Sequence, residues 1–114
     1  ADVVIVGNRR SFAAALILPN FEKLQLWCRE SSLPAETPAQ MAAHPRVQAF
    51  IMEQVENVNR EFAPYERVKK IAILSDEFTI ERGELTPTLK ARRSVIESRY
   101  KHLIDELYHE QKPA

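Results

Sequence analysis

The stretch Val3–Leu18, VVIVGNRRSFAAALIL, decides how the fold begins. Val3 to Val6 is a β-branched run, which favours a short strand. The apolar run Ser11 to Leu18 precedes a proline and has the length of a second strand. Between the two runs lies a turn signal that contains Gly7 and Asn8. We therefore predict a β-hairpin in which Gly7 or Asn8 adopts a positive φ.

Three helices are predicted in the middle of the chain. Asn20 is a candidate N-cap for the first helix, and Thr37, followed by proline, is the candidate N-cap for a short helix through Ala43. The third helix begins near Pro45, and we predict that Pro64 ends it. Its apolar residues recur at the helical period and lie on one face: Val47, Phe50, Ile51, Val55, Val58 and Phe62.

The second half of the chain predicts three more strands and one helix. Val68–Leu74 has the composition of a strand, Phe78–Glu81 alternates like a half-exposed strand, and Glu84–Thr86 returns after a turn. The last helix is predicted to begin near Thr88. Its apolar stripe comprises Val95, Ile96, Tyr100, Leu103, Ile104, Leu107 and Tyr108. This order of elements predicts one small α+β domain over residues 1–114, with helices packed on an antiparallel or mixed sheet.

Composition limits the classes of function. The chain has 114 residues, with 16 Lys and Arg residues against 16 Asp and Glu residues, so its formal net charge is zero. A neutral chain lacks the basic excess of a general nucleic-acid binder, so no nucleic-acid partner is predicted. Cys28 is the single cysteine and cannot form an internal disulfide, which fits a reducing compartment. We expect a cytoplasmic protein, and peripheral membrane association stays open.

One segment has a charge pattern that suggests chemistry. In Gly83–Arg93, GELTPTLKARR, the residues Lys90, Arg92 and Arg93 fall at the predicted start of the last helix. A helix N-terminus carries partial positive charge, so each cation there is unfavourable by up to ~1 kcal/mol. An anionic partner would turn this conflict into a binding site. The alternative is that the three side chains simply point into water.

The same segment resembles the C-terminal lysine motif of the adenylate-forming superfamily, in the version of the long-chain fatty acid–CoA ligases (acyl-CoA synthetases). Three flanking stretches resemble the corresponding parts of that domain: Val3–Phe21, Asn59–Lys70 and Asp76–Glu81. The resemblance therefore covers nearly the whole chain. It implies a small, mobile C-terminal lid domain, with the large N-terminal adenylation domain and the hinge lying outside this chain.

The resemblance also implies a reaction and roles for residues. The family joins a fatty acid to ATP, giving an acyl adenylate and diphosphate, and coenzyme A then displaces AMP to give acyl-CoA. Lys90 aligns with the family's lysine that assists adenylation. Gly83 and Pro87 would shape its loop, with Thr86 or Thr88 as candidate caps for the helix. Arg92 and Arg93 could contact phosphates, or could face solvent or the large domain.

Cofactors and partners follow from the resemblance as well. ATP, coenzyme A and Mg²⁺ would act in the full-length enzyme, and none is expected to bind tightly to this chain, which alone should be inactive. Its partner would be the N-terminal domain, and the separated chain could self-associate through exposed apolar surface. The acceptor stays open between coenzyme A and a carrier protein.

Other ionisable residues give weaker signals. Glu77, Glu81 and Glu84 could suggest acid–base chemistry, but a strand edge and a turn predict solvated carboxylates. Cys28 lies on an apolar helix face, where core packing is the expected role. No metal site is predicted, because the three histidines lack ligand spacing: His44, His102 and His109.

A second hypothesis belongs to a different functional class. The chain could be a stand-alone interaction domain that binds a protein through the stripe of its last helix. In that case Val95, Tyr100 and Leu107 should be exposed, and Lys90 would be incidental. A catalytic lid should instead carry an exposed Lys90 on an ordered loop.

Overall fold

The computed structural model describes residues 2–7, 10, 12–63 and 66–109. They form a small α+β domain with a mixed three-stranded sheet, which confirms the predicted fold class. Its elements, in chain order, are β1 Asp2–Val6, β2 Ala13–Leu18, α1 Phe21–Glu30, α2 Pro38–Ala43, α3 Pro45–Asn59, β3 Val68–Ile73, α4 Arg93–Arg99 and α5 Lys101–His109.

The predicted hairpin is the first half of the sheet. Strands β1 and β2 pair antiparallel, with Val4 opposite Leu16, and Gly7 has a φ of 112°. Asn8 and Ser11 lie outside the described residues. Strand β3 pairs parallel to β2 on its other side, so β2 is the central strand.

The central strand is apolar along its whole length because both of its faces are covered. Leu16 faces a cluster of buried side chains that includes Ile96 and Ile104 from α4 and α5. Ile17, the next residue, faces a second cluster that includes Val47 from α3. A strand buried on both faces reads as a continuous apolar run rather than an alternation.

The first two helices begin where their caps predict. The Asn20 side chain accepts a hydrogen bond from the Lys23 N–H at 3.2 Å, which satisfies one free donor of α1. Thr37 forms a capping box with Gln40 at the start of α2, in which each side chain accepts from the other residue's backbone.

The prediction that Pro64 ends the third helix was wrong. Helix α3 ends at Asn59, and Pro64 lies outside the described residues. The buried Asn59 amide donates to the Val68 carbonyl at 2.7 Å and accepts from the Val68 N–H at 3.0 Å. These two bonds tie the end of α3 to the start of β3.

The two strands predicted at Phe78–Glu81 and Glu84–Thr86 do not form. The N–H groups of Glu84 and Leu85 both donate to the Thr79 carbonyl, at 3.1 and 3.2 Å, which closes a tight loop instead of a ladder. In the described part of this segment the one β-bridge pairs Leu85 with Ala91.

The last helix begins later than predicted and is divided. It starts at Arg93 rather than near Thr88, because Leu85 and Ala91 already pair in a bridge. Tyr100, which has a φ of −102° and a ψ of 19°, separates α4 from α5. Over the described residues, none of the helices combines the length and the apolar character that crossing a bilayer requires.

Candidate functional site

Lys90 lies on a short hairpin that links the turn region to α4. The Thr86 N–H donates to the Lys90 carbonyl at 2.8 Å, and the Leu89 N–H donates to the Thr86 carbonyl at 2.8 Å. Leu85 bridges Ala91 just outside this pair. The hairpin therefore holds a three-residue loop between Thr86 and Lys90, and the Lys90 side chain is exposed.

The Thr86 hydroxyl reinforces this loop from inside. It accepts a hydrogen bond from the Lys90 N–H at 3.1 Å and lies 3.1 Å from the Thr88 hydroxyl. The prediction that Thr86 or Thr88 caps the last helix was wrong, because the N-cap of α4 is Arg92, whose side chain makes no capping bond. The two threonines fold the lysine loop instead.

Leu89 is the strained residue of this loop. Its φ of 61° lies in the left-handed region, which a residue with a branched side chain occupies at a cost of about 1 kcal/mol or more. Its side chain is exposed. The loop keeps this conformation because the bonds on both sides of Leu89 fix the backbone.

Glu84, at the base of the hairpin, is fully buried, with 0% of its surface exposed. One carboxylate oxygen accepts hydrogen bonds from the Thr79 N–H at 3.1 Å and from Arg82 Nε at 3.0 Å. The other accepts from Arg99 Nη1 at 2.5 Å. The prediction of a solvated Glu84 was therefore wrong, because this charge is neutralised by two guanidinium groups and fully hydrogen-bonded.

The ionisation of this cluster follows from its contacts. Burial alone raises the pKa of the Glu84 carboxyl, but the hydrogen bonds from Arg99, Arg82 and Thr79 outweigh burial, and the net pKa is lowered. The bond to Glu84 raises the pKa of Arg99. Arg99 also donates to Asp76 at 2.9 Å, so the carboxylate stays ionised within a charge network.

This cluster was not predictable from the sequence. Arg82 is two residues from Glu84, but Arg99 is 15 residues away and reaches it only because α4 packs beside the turn. No motif predicts such a pair. The adjoining turn was easier to predict: the Gly83 N–H donates to the Ile80 carbonyl at 2.8 Å, and Gly83 has a φ of 74°.

The three predicted cations do not share one helical turn. Lys90 precedes α4 and lies in the hairpin, Arg92 is the exposed N-cap, and Arg93 is the first residue of the helix. The Arg93 guanidinium donates to the Ile5 carbonyl and lies 3.9 Å from the Glu97 carboxylate. Arg93 therefore ties α4 to β1, while Lys90 projects from a separate loop beside the exposed Pro87.

The stripe of the last helix is not a free surface. Tyr100, Leu103 and Leu107 pack against the buried cluster beneath the sheet, and Val95 is half-buried. Cys28 is fully buried, which confirms its place in the core, and burial raises the pKa of its thiol. Among the described residues no group of three His, Cys, Asp or Glu side chains could hold a metal ion.

An apolar groove runs between β1 and α3 on the other face. Four of its side chains are large, apolar and exposed: Val3, Ile5, Val58 and Phe62. Patches of this kind mark surfaces that contact another protein or domain.

The chain is similar in sequence to part of several long-chain-fatty-acid ligases. The chain is 30% identical over 112 residues to the long-chain-fatty-acid–CoA ligase FadD15 of Mycobacterium tuberculosis, covering 97% of this chain and 19% of that protein. It is 31% identical over 111 residues to human long-chain-fatty-acid–CoA ligase 6, covering 95% and 16%. An Arabidopsis thaliana long-chain-fatty-acid–[acyl-carrier-protein] ligase, AEE15, is 31% identical over 107 residues, covering 94% and 13%. The chain thus spans less than a fifth of the length of these relatives.

Solved structures share the fold. The adenylation domain of a carboxylic acid reductase from Segniliparus rugosus superposes with a TM-score of 0.73 at 24% identity, covering 96% of this chain and 16% of that one. The family whose description is AMP-binding enzyme C-terminal domain matches residues 1–112. With this match along almost its whole length, the chain belongs to the family of AMP-binding enzyme C-terminal domains.

Proposed function

We propose that this chain is the mobile C-terminal lid of a long-chain fatty acid–CoA ligase. The full-length enzyme would convert a fatty acid, ATP and coenzyme A into acyl-CoA, AMP and diphosphate through an acyl adenylate. The names of the relatives support this reaction, since FadD15 and human ligase 6 are both long-chain-fatty-acid–CoA ligases.

One structural observation carries the proposal: Lys90 is exposed on a hairpin whose backbone is closed by three hydrogen bonds. Adenylation brings a carboxylate against a triphosphate and moves negative charge onto the leaving diphosphate. A compact cation placed at that charge lowers the barrier electrostatically. Lys90 would supply it, because its side chain is exposed while the backbone beneath it is held by hydrogen bonds.

The remaining groups of the reaction would belong to the larger domain. Lys90 and Arg92 are exposed cations that suit phosphate oxygens. In this proposal Mg²⁺, the fatty acid and most of the ATP bind to the N-terminal adenylation domain. The apolar groove between β1 and α3 offers a face on which the larger domain could dock.

The lid would also have to move. A domain that delivers Lys90 for adenylation must withdraw it before the thiol of coenzyme A reaches the adenylate. Closure of this kind excludes water and completes a site only while it is needed. We propose coenzyme A as the acceptor, and the Arabidopsis relative makes a carrier protein the alternative to test.

The test uses the full-length protein that carries this domain. Supplied with Mg-ATP, a long-chain fatty acid and coenzyme A, it should release AMP and form acyl-CoA in equal amounts. Lys90→Ala should abolish this, whereas Lys23→Ala, at an exposed lysine on α1, should leave it intact. If AMP release requires a carrier protein instead of coenzyme A, the carrier protein is the acceptor. If the full-length protein released no AMP in response to a fatty acid, the proposal would be overturned.

A further inference from the structure

We infer that Glu84 is the residue that positions Lys90, by anchoring the lysine hairpin to α4. The inference rests on the proposed function of Lys90 and goes beyond it, because Glu84 is assigned a role in the rate of one half-reaction. Glu84 would act through the loop, without touching substrate.

Glu84 lies at the base of the hairpin, where both its backbone and its side chain form hydrogen bonds. Its carbonyl accepts a hydrogen bond from the Arg92 N–H at 2.7 Å. Along the hairpin towards the tip, this pair is followed by the Leu85–Ala91 bridge and then by the Thr86–Lys90 pair. Both arms of the lysine hairpin therefore meet at Glu84. A shift of this residue would carry the whole hairpin with it.

The side chain then fixes this base to three separate segments. Its carboxylate binds the Thr79 N–H before the turn, the Arg82 guanidinium within the turn and the Arg99 guanidinium in the last residue of α4. Arg82 in turn donates to the Glu77 carbonyl. The carboxylate is the group that these segments share.

Such an anchor controls orientation more than overall packing. The described apolar core is built from the sheet and the faces of the helices that cover it, and the hairpin tip, residues 86–90, contributes no buried side chain to it. Hydrogen bonds centred on Thr86 close the tip, and the base beneath it is fixed at Glu84. A misplacement of about 1 Å at a reacting group can cost a rate on the order of a hundredfold.

Glu84→Gln is the sharpest probe, because it keeps the shape of the side chain and removes its charge. Glutamine keeps only one side-chain oxygen as an acceptor, and its NH₂ group would face a guanidinium, which is also a donor. The bond to Arg82 or to Arg99 is therefore lost. A matched control is Asn59→Ala, which removes another buried polar anchor, between α3 and β3, away from the hairpin.

The experiment measures two rates in the full-length protein: diphosphate release with fatty acid and ATP, and thioester formation from supplied acyl adenylate. Lys90→Ala serves as the reference for a lost cation. We expect Glu84→Gln to slow diphosphate release about tenfold or more through kcat, with little change in KM for ATP. Thioester formation should stay within about twofold. Asn59→Ala should change neither rate selectively.

The outcomes separate the two ideas. If Lys90→Ala leaves diphosphate release intact, the proposed function fails. If Lys90→Ala abolishes it and a folded Glu84→Gln protein matches the unsubstituted enzyme, the positioning role fails alone. If Glu84→Gln and Asn59→Ala both slow diphosphate release and thioester formation to the same extent, Glu84 has only a structural role and the inference fails. If Glu84→Gln does not fold, Arg82→Lys is measured instead, since it keeps a cation but loses the Nε bond. Unchanged diphosphate release in that variant would overturn the inference.

Discussion

Glu84 and Arg99 form a buried contact in which a carboxylate oxygen accepts from a guanidinium nitrogen at 2.5 Å. The contact joins the turn before the lysine hairpin to the last residue of α4, across 15 residues of sequence. The Glu84 side chain is fully buried, whereas 30% of the Arg99 side chain is exposed, so solvent reaches the pair only from the arginine. The strength of this contact should depend on pH, because it requires an ionised Glu84 carboxylate.

The stability of the domain should fall in acid through Glu84. Its folded pKa is lowered, so its contribution is present above the unfolded pKa, ~4.3, and is lost as pH falls through the folded value. Glu84→Gln should cost ~2 kcal/mol at pH 7 and flatten the pH dependence below ~4. Urea unfolding of the isolated chain between pH 3 and 7 measures both.

Asp105→Asn provides the control for that series. Asp105 also has a lowered pKa, caused first by Lys101 and then by Arg10, but the carboxylate is exposed. Solvent screens such pairs, so this substitution should change the unfolding free energy far less than Glu84→Gln. A larger effect at Asp105 would contradict the importance assigned to the buried pair.

Gly7→Ala should destabilise the domain more than Gly83→Ala. Both glycines have positive φ, 112° and 74°, so both substitutions carry backbone strain. A methyl group at Gly7 would also overlap the Tyr108 hydroxyl and lie 2.7 Å from the Phe12 carbonyl, whereas at Gly83 the nearest atom is 3.9 Å away. We expect a loss of ~1 kcal/mol at Gly83 and ~3 kcal/mol at Gly7, measured by urea unfolding. Equal losses would show that the Tyr108 contact has no effect.

Asn59→Ala should loosen the junction between α3 and β3. The substitution leaves the half-buried N–H and carbonyl of Val68 without their side-chain partner, at a cost of ~2 kcal/mol. Asn57→Ala, on the exposed face of the same helix, is the control and should be near neutral. Amide hydrogen exchange at Val68 should accelerate in the first variant and stay unchanged in the second.

The isolated chain should form no acyl adenylate. With Mg-ATP and a long-chain fatty acid it should release no diphosphate, because the groups we assign to the larger domain are missing. A diphosphate-release assay with the full-length protein as positive control measures this. Turnover by the isolated chain would contradict the division of roles between the two domains.

Local signals made the first half of the fold predictable. The caps at Asn20 and Thr37 act within a few residues, so the sequence could locate the starts of α1 and α2. The run in β2 marked a strand buried on both faces, although its parallel partner could not be deduced from it.

The second half was harder because its geometry depends on distant contacts. Phe78–Glu81 alternates like a strand, yet the backbone there turns to meet Glu84, whose charge is balanced by Arg99 on another element. The sequence identified Lys90 through a resemblance. The resemblance also placed Lys90 on a loop before the helix, whereas local propensity put the start of the helix near Thr88, because it could not anticipate the Leu85–Ala91 bridge.

The central claim is that Lys90 assists adenylation and not thioester formation. Lys90→Ala in the full-length protein, with the two half-reactions assayed separately, tests it most directly. We predict that diphosphate release falls by a factor on the order of a hundred or more, as for removal of one electrostatic stabiliser, while thioester formation from supplied acyl adenylate survives. Normal rates for both half-reactions would contradict the account.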